Sequence, residues 1–520
     1  MKGADRMRFS LQSQNGTQFL IPETLVSKDK RNYQTFQSIY EISNLLPQKL
    51  NKEFQYSHEL QQHLQGKRLL LDELPFPISE IHEHYLNGYI QYHHGITTTS
   101  KNQFQCERCG NQNQHLFASF HCARRHQPNC TYCRNCIMMG RVSQCTPLIT
   151  WVGPLSNSRP PAQAILNWDG QLSPGQQFAS DKVIEAINNK EDLLVWAVCG
   201  SGKTEVLFHG IQTALQQGKK ICITTPRTDV VHELTPRLKK AFPNTSLISL
   251  YGGSEDRSKT AQLTISTTHQ LLRYFKNFDV IIIDEVDAFP FSADASLQYA
   301  VKKAIKENSA MIYLTATPNT EFKRKSQKGN LQTVTIPARY HRKPLPVPTF
   351  HWCGDWKNRL KKKHDIPKSL KTWITNQLQN KKQAFLFVPH IQTLNEVLTI
   401  LKKIHPSIEG VHSEDPKRKE KVKAFRDGTI PILITTTILE RGVTVPNTDV
   451  AVLGAEDSIF TESALVQIAG RVGRSPKYPT GEVIFYHYGK TKAMNAARMQ
   501  IVKMNKQGKE LGLLDLISFS

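Results

Sequence analysis

Short apolar segments alternate with helical periodicity from about residue 170 onward. Between 170 and 335 the continuously apolar segments are Leu193–Val198, Ile221–Thr224, Leu263–Ser266, Val280–Ile283 and Met311–Leu314. A second series comprises Ala384–Val388, Ile408–Val411, Ile432–Thr435, Val450–Leu453 and Val483–Tyr486. Continuous rather than alternating apolar runs are typical of strands in a parallel sheet that helices cover on both faces. The pattern predicts two α/β domains in tandem.

Composition shifts divide the chain further. Residues 1–100 contain leucine-rich amphipathic stretches and predict an α-rich accessory region, and residues 101–150 hold seven of the ten cysteines. Residues 153–163 and Ile336–Pro348 are rich in proline and polar or basic residues, as linkers are. The predicted domains are therefore 1–100, 101–150, 165–340 and 346–520.

The charge balance points to an anionic partner. The chain carries 67 Lys and Arg against 44 Asp and Glu, a net charge of +23. Such a surplus favours nucleic acid first and an acidic membrane surface second. Two basic runs concentrate it, at residues 357–363 and 417–423. No apolar run approaches the ~20 residues that span a bilayer, and no apolar signal segment follows the N-terminus, so a cytoplasmic protein is expected.

A glycine-rich loop follows the first predicted strand. Residues 197–204 read Ala-Val-Cys-Gly-Ser-Gly-Lys-Thr. Between a strand and a helix, such a loop points backbone N–H groups at phosphates. The predicted ATP-binding residues are Gly200, Ser201, Gly202, Lys203 and Thr204. Lys203 is expected to reach the outer phosphates, and the Thr204 hydroxyl to ligate magnesium.

An acidic quartet follows the fourth predicted strand. Residues 284–287 read Asp-Glu-Val-Asp. Asp284 is expected to hold the magnesium ion, and Glu285 to polarise the attacking water. Together with the glycine-rich loop, the quartet predicts hydrolysis of a nucleoside triphosphate.

Two arginines stand near the end of the second α/β domain. The segment Gln467-Ile-Ala-Gly-Arg471-Val-Gly-Arg474 is expected to carry both on one face of a helix. Arginine offers a planar fork that suits phosphate oxygens. Arg471 and Arg474 are therefore predicted to stabilise charge on the γ-phosphate from across a cleft.

The cysteine cluster predicts a structural metal site. Cys106-x2-Cys109 and Cys130-x2-Cys133 are separated by 20 residues, within the spacing typical of two zinc knuckles. Four thiolates form a closed tetrahedral zinc site. The short domain has few large apolar residues, so zinc is expected to supply its folding energy. Cys122, Cys136 and Cys145 remain unassigned, and a second complete site is not expected.

These blocks resemble, in order, the motifs of superfamily 2 helicases and translocases. The resemblance implies two RecA-like domains. It also implies that Gln176 in Leu172-Ser-Pro-Gly-Gln176 recognises adenine and that Thr315-Ala316-Thr317 couples hydrolysis to domain movement. Arg227, Thr268 and Arg441 are the implied DNA contacts. One departure is Ile468, which stands where many relatives carry an arginine.

A cysteine cluster ahead of such a motor resembles the ComFA family of late competence ATPases. The stretch Cys130-Thr-Tyr-Cys133-Arg-Asn-Cys136-Ile-Met-Met-Gly-Arg141 carries that similarity most closely. The resemblance implies single-stranded DNA as the track. It also implies association with a ComFC-like partner and with the DNA-uptake channel at the inner membrane face. Arginines near the cysteines, including Arg108 and Arg141, favour a DNA contact by this module as well.

Two other interpretations remain open at this stage. A replication-restart helicase of the PriA type shares the motor and the cysteine knuckles, although its cysteines lie within or after the motor. A non-enzymatic DNA-binding adaptor with a vestigial motor is the alternative from another class. The intact Lys203, Asp284, Glu285, Arg471 and Arg474 argue against the adaptor.

Overall fold

The computed structural model describes residues 7–14, 16–122, 127–156, 166–440 and 445–515. Its N-terminal region consists of short strands and helices. The strands are β1 (Phe9–Gln14), β2 (Thr17–Pro22), β3 (Arg68–Leu70), β4 (Ile90–His93), β5 (Ile96–Thr98), β6 (Phe104–Cys106), β7 (Phe117–Cys122), β8 (Gln127–Cys133) and β9 (Leu148–Trp151). The α-helices are α1 (Lys28–Arg31), α2 (His58–Leu64) and α3 (Ile78–Leu86), with 3-10 turns at Glu23–Leu25, Ile39–Glu41, Leu71–Glu73, Gln114–Leu116 and Ile137–Met139.

The accessory region is mixed rather than α-rich, which corrects the expectation from sequence. Within residues 1–100, β1 and β2 form an antiparallel pair, β3 and β4 join a three-stranded sheet with β9, and β5 pairs with β6. In β4, Ile90 and Tyr92 are buried while their neighbours are half-buried, the period of two that a strand requires. The leucine-rich stretches form only short helices around an aromatic core.

The first parallel sheet has seven strands in the order β12-β13-β11-β14-β15-β10-β16. Its strands are β10 (Leu193–Ala197), β11 (Ile221–Thr225), β12 (Leu247–Leu250), β13 (Leu263–Thr267), β14 (Phe278–Ile283), β15 (Ile305–Thr315) and β16 (Gln332–Ile336). The helices are α4 (Pro174–Asn189), α5 (Lys203–Val206), α6 (Phe208–Gln216), α7 (Thr228–Ala241), α8 (Ala295–Ala304) and α9 (Thr320–Gln327), with 3-10 turns at Glu255–Ser258 and Thr268–Arg273.

The second parallel sheet has six strands in the order β17-β22-β21-β18-β20-β19, and all five neighbouring pairs are parallel. Its strands are β17 (Thr349–Trp352), β18 (Gln383–Phe387), β19 (Glu409–Val411), β20 (Ile432–Thr435), β21 (Thr448–Leu453) and β22 (Val483–His487). The helices are α10 (Trp356–Lys363), α11 (Lys368–Gln379), α12 (Ile391–Lys402), α13 (Arg418–Arg426), α14 (Glu462–Ala469) and α15 (Lys492–Glu510), with a 3-10 turn at Thr437–Leu439. Apolar clusters cover both faces of this sheet.

The structure confirms two parallel-sheet α/β domains, and each of the ten predicted strands is present. Three further strands of these sheets, β12, β16 and β17, were not predicted. Each lies at an edge of its sheet; β12 and β16 alternate buried with half-buried or exposed positions, and β17 has no buried position. These three strands have no continuous apolar run, so the signal that identified the others is absent.

The chain forms two compact units. The first comprises residues 1–168, 186–191 and 211–312, and the second comprises 169–185, 192–210 and 313–520. The accessory region and Asp284 thus belong to the first unit. The glycine-rich loop and the 467–474 segment both belong to the second. Within the described ranges, no helix has the length and apolarity needed to cross a bilayer.

Candidate nucleotide and metal sites

The loop after β10 has the backbone conformation of a phosphate-binding loop. Gly200 and Gly202 have φ values of +81° and +74°, which residues with a Cβ rarely adopt. A Cβ on Gly202 would also collide with the side-chain amide of Gln176. Lys203 begins α5 directly after the loop. Backbone N–H groups of the loop and of the helix start are therefore available to phosphate oxygens.

The side chain of Gln176 is hydrogen-bonded to this loop. It is 4% exposed, and its Nε2 donates to the Ser201 carbonyl oxygen at 2.8 Å. Its Oε1 accepts from the Ser173 N–H at 2.8 Å. Both ends of the amide are thus used within the protein, and adenine recognition by Gln176 stays a prediction.

The acidic pair in the first unit has a strained backbone. Asp284 directly follows β14, and its N–H donates to the Thr224 carbonyl oxygen at 2.8 Å. The Glu285 N–H in turn donates to Asp284 Oδ1 at 2.9 Å. Glu285 has a φ of +56°, a left-handed conformation that costs a non-glycine residue about 1–3 kcal/mol. Strain of this kind is concentrated at functional sites, where it fixes the direction of a side chain.

The two arginines of the last motif lie beyond a helix rather than on one, which corrects the sequence prediction. Helix α14 ends at Ala469, and Gly473 has a φ of +69°. The left-handed glycine turns the chain, so the spacing of three does not place both side chains on one face. Arg471 is 2% exposed, whereas Arg474 is half-buried and its Nε donates to the Gly470 carbonyl oxygen at 3.1 Å.

Arg339 connects this turn to the glycine-rich loop. Its guanidinium is 1% exposed and donates to the carbonyl oxygens of Gly470, at 3.3 Å, and Gly473. The next residue, Tyr340, donates its N–H to the Gly200 carbonyl oxygen at 3.2 Å. Burial lowers the pKa of Arg339 to about 10, so the side chain stays charged at neutral pH. Forked donation to two carbonyls fixes the end of α14.

Further hydrogen bonds connect parts of the second unit to one another. The Cys199 thiol donates to Gln467 Oε1 at 3.0 Å, which gives Gln467 a defined partner. The hydroxyls of Thr317 and Ser463 lie 2.8 Å apart. The Ala316 carbonyl oxygen accepts from Trp196 Nε1 at 3.0 Å and from the side-chain amide of Gln500 at 2.8 Å. The predicted coupling segment 315–317 therefore contacts both the strand before the loop and helices α14 and α15 of the second α/β domain.

Four buried thiols converge in the first unit. Cys106, Cys109, Cys133 and Cys136 have sulfur atoms within 4.8 Å of one another. The Sγ atoms of Cys106 and Cys136 are 3.8 Å apart, and those of Cys109 and Cys133 are 3.7 Å apart. Four sulfurs about 2.3 Å from one zinc ion, at tetrahedral corners, lie about 3.8 Å from each other. The donor set and its spacing thus fit a structural zinc site of four thiolates, called the four-cysteine site below.

One of the four predicted zinc ligands, Cys130, is wrong. Cys130 belongs to a second cluster with Cys122 and Cys145, and Cys136 takes its place in the first. The reason is strand geometry. Cys130 and Cys133 are three positions apart on β8, and successive side chains of a strand point to opposite faces. Cys133 at the strand end instead pairs with Cys136 in the following turn.

An ion triad links the four-cysteine site to the first α/β domain. Glu73 accepts from Arg108 Nη2 at 2.8 Å and from Arg273 Nε at 2.6 Å. Arg108 lies between Cys106 and Cys109, and Arg273 ends the 3-10 turn that begins at Thr268. Burial acts to raise the pKa of Glu73, but Arg108 and Arg273 outweigh it and hold that pKa below its ordinary value. The fully buried Arg108 therefore serves packing rather than DNA contact, contrary to expectation.

The predicted DNA contacts are unevenly supported. Arg227 is paired with Asp229, with an Nη2–Oδ2 distance of 3.2 Å. Thr268 is fully buried, so its hydroxyl does not face solvent in this conformation. Arg441 lies outside the described residues. Arg141 lies over the Phe120 ring, 4.5 Å from its centroid. DNA contact by these residues stays a prediction.

Sequence reasoning missed Arg339 and Cys136. Arg339 lies in a segment that composition assigned to a linker, and no motif marks it. For Cys136 the signal was present, since Cys133-x2-Cys136 has the same knuckle spacing as Cys130-x2-Cys133. A strand over residues 127–133 puts Cys130 and Cys133 on opposite faces, so it favours Cys133 and Cys136 as the second pair of ligands.

Three family models match the chain in succession. They are the competence protein ComFA N-terminal domain at residues 49–150, the type III restriction enzyme res subunit at 169–320, and the helicase conserved C-terminal domain at 365–476. The solved structure of Saccharomyces cerevisiae Dbp5 bound to RNA and ADP BeF3 covers 64% of this chain and 91% of its own, with 15% identity and a TM-score of 0.46.

Two similar relatives are competence proteins. The competence protein ComFA of Bacillus subtilis (strain 168) is 52% identical over 457 residues, 88% of this chain and 97% of the relative. That of Streptococcus pneumoniae (strain ATCC BAA-255 / R6) is 40% identical over 378 residues, 72% of this chain and 86% of the relative. With the glycine-rich loop, the acidic pair and the two matched helicase domains, this similarity shows that the chain belongs to the ComFA family and is a helicase-type ATPase of superfamily 2.

Proposed function

We propose that this chain is an ATP-driven translocase on single-stranded DNA that acts in the uptake of transforming DNA. The observation that carries the proposal is the linkage inside the second unit. There the glycine-rich loop is hydrogen-bonded to Gln467 and to the Tyr340 N–H. Arg339 donates to the turn at residues 470–474, and the coupling segment contacts α14 through Thr317. Nucleotide binding at the loop therefore acts directly on the element that carries the arginines.

The helicase domains imply ATP and magnesium, and the residues present suit both. Lys203 and Thr204 follow the loop and would hold the outer phosphates and the metal ion. Asp284 would hold the metal from β14, and Glu285 would orient the attacking water. Arg471 and Arg474 would stabilise charge that develops on the γ-phosphate. Arg339 would keep the turn that carries both arginines in place.

Charge supports a nucleic acid track. Lys361, Lys362 and Lys363 at the end of α10 are exposed, as are Lys417, Lys419 and Lys423 around α13. These lysines leave cationic helix surfaces in a chain whose net charge is +23. Phosphate binding by such surfaces is independent of base sequence and weakens steeply with salt.

The family supports the cellular role. The relatives that cover most of this chain are named competence proteins. A ComFC-like protein and the DNA-uptake channel are the proposed partners, with the chain at the inner face of the membrane. We propose that these partners hold the chain at the membrane.

The test is ATP hydrolysis by the purified chain with and without single-stranded DNA. We expect stimulation by single strands, abolished in Lys203→Ala and kept in Lys509→Ala, a matched change at an exposed lysine near the end of α15. Stimulation by forked duplex alone, with unwinding, would instead indicate a PriA-type helicase. A folded protein without any turnover would leave only the adaptor interpretation.

A further inference from the structure

A second group of thiols lies within residues 101–150, apart from the four-cysteine site. Cys122 is 2% exposed, and Cys130 and Cys145 are fully buried. The Cys145 sulfur lies 3.0 Å from that of Cys122 and 2.7 Å from that of Cys130. All three sulfurs lie within 4.8 Å of one another. They come from three different segments of the chain, so the fold itself brings them to one point.

The two thiol groups occupy opposite faces of one hairpin. In the β7–β8 pair, Phe120 is opposite Cys130, and Phe117 is opposite Cys133. Directly opposed residues share a face, and residues three apart do not. Cys122, two positions beyond Phe120, falls on the Cys130 face, next to an irregularity in the register. Cys133 and the four-cysteine site therefore lie on the other face.

The second face has almost no apolar core. Its buried cluster consists of the three cysteines, with Phe120 packed against them partly buried. Fully burying one large apolar side chain contributes about 1.5–3 kcal/mol, and the buried cluster that the described residues form on this face contains none. Ordering a backbone costs about 1–2 kcal/mol per residue, so a cluster of this size does not hold a hairpin by burial alone. A metal–thiolate bond would add to what the four-cysteine site contributes on the other face.

We propose that Cys122, Cys130 and Cys145 bind a second metal ion, with zinc as the ion that thiolates favour. Each thiol would release its proton to solvent on binding, giving one Zn²⁺ held by three thiolates. The sulfurs would move apart to the separation of about 3.8 Å that tetrahedral Zn–S bonds of about 2.3 Å require. The ion's fourth position would be taken by water or by another side chain.

The metal content of the full-length chain tests this proposal. We expect two zinc ions per chain by elemental analysis and by native mass spectrometry. Cys122→Ser and Cys136→Ser should each lose one zinc equivalent, from different sites. Cys353→Ser, a half-buried cysteine in the second unit, is the matched control and should keep both. One zinc per wild-type chain, or two retained in Cys122→Ser, would overturn the proposal.

Two readouts on the wild-type chain decide the matter if a variant fails to fold. X-ray absorption at the zinc edge should give an average between three and four sulfur ligands per zinc. An average of four or of fewer than three would contradict a four-cysteine site beside a three-thiolate site. A mass lower by two hydrogens in the one-zinc protein would show a Cys130–Cys145 disulfide in place of the metal.

Discussion

Arg339 fixes the turn at residues 470–474 of the second unit. Its two terminal nitrogens donate to carbonyl oxygens of Gly470 and Gly473, and the first of these oxygens also accepts from Arg474. Lysine has a single ammonium group and cannot reproduce this fork. Because hydrogen bonds from charged groups contribute about 1.5–3 kcal/mol, the arginine turn should lose its fixed position when the fork is lost.

Arg339→Lys should therefore lower kcat for ATP hydrolysis by about tenfold or more, given hydrogen bonds of that strength. Binding of a fluorescent ATP analogue should change little, because the glycine-rich loop is intact. Steady-state kinetics and equilibrium titration measure the two quantities. Arg342→Lys, three residues on and paired with Asp515, is the control and should behave as wild type. An unchanged kcat in Arg339→Lys would show that ATP hydrolysis does not depend on the hydrogen bonds of Arg339.

Glu73 should contribute to stability in a pH-dependent way. Glu73→Gln leaves the buried Arg108 without its countercharge and should cost about 3 kcal/mol. The carboxyl pKa is lowered in the folded state, so its contribution is complete at neutral pH and is lost as the pH falls through that lowered pKa. Chemical denaturation of both proteins across the acid range measures the difference, which should shrink on acidification.

Asp72→Asn is the matched control for that experiment, since Asp72 is exposed and adjacent in the chain. It should leave the free energy of unfolding within about 0.5 kcal/mol of wild type, as surface changes do. A Glu73→Gln protein that matches Asp72→Asn at neutral pH would show that the triad does not stabilise the module.

Some site residues could be located from their local sequence and others could not. Asp284 directly follows the buried strand β14, and Lys203 and Thr204 begin α5 after the loop that follows β10, so local patterns were enough to locate all three. Arg339 has no local signal, because its partners are carbonyl groups more than 130 residues away. Cys130 was assigned wrongly because spacing alone ignores the alternation of side chains along a strand.

At the level of elements, the turn after α14 depends on a glycine. Gly473 has a φ of +69°, and a Cβ there would meet the Pro479 carbonyl and the Arg339 guanidinium. Gly473→Ala should therefore displace Arg474 and reduce ATP turnover while the chain stays folded. Gly489→Ala is the control, because a Cβ at that position meets no atom within 4 Å. Equal turnover in the two variants would show that the turn is not required.

Helices and central strands were predictable because their apolar patterns are local. The ten predicted strands, nine central ones and the edge strand β19, have continuous apolar runs, whereas the edge strands β12, β16 and β17 do not. The helix end at Ala469 was not predicted, since the left-handed conformation of Gly473 depends on its contacts with Arg339 and Pro479. The accessory region was assigned too much helix, because short strands of three or four residues carry little periodicity.

For the whole molecule, the charge surplus should govern DNA binding. Affinity for an oligonucleotide of single-stranded DNA should fall by about tenfold or more between 50 and 200 mM salt, since phosphate contacts release counterions. Base composition should matter little, so oligo-dT and a mixed sequence should give similar slopes. Fluorescence anisotropy measures both. A salt-independent affinity would exclude a phosphate-tracking surface.

Displacement of streptavidin from biotinylated single strands tests movement along DNA most directly. A translocase pushes the protein off one end of the strand, so ATP should release streptavidin from either the 5′ or the 3′ end, and Lys203→Ala should release none. Loss of release with a non-hydrolysable ATP analogue would tie movement to hydrolysis. If ATP turnover is stimulated by single strands and streptavidin stays bound at both ends, the chain is a DNA-dependent ATPase that does not translocate.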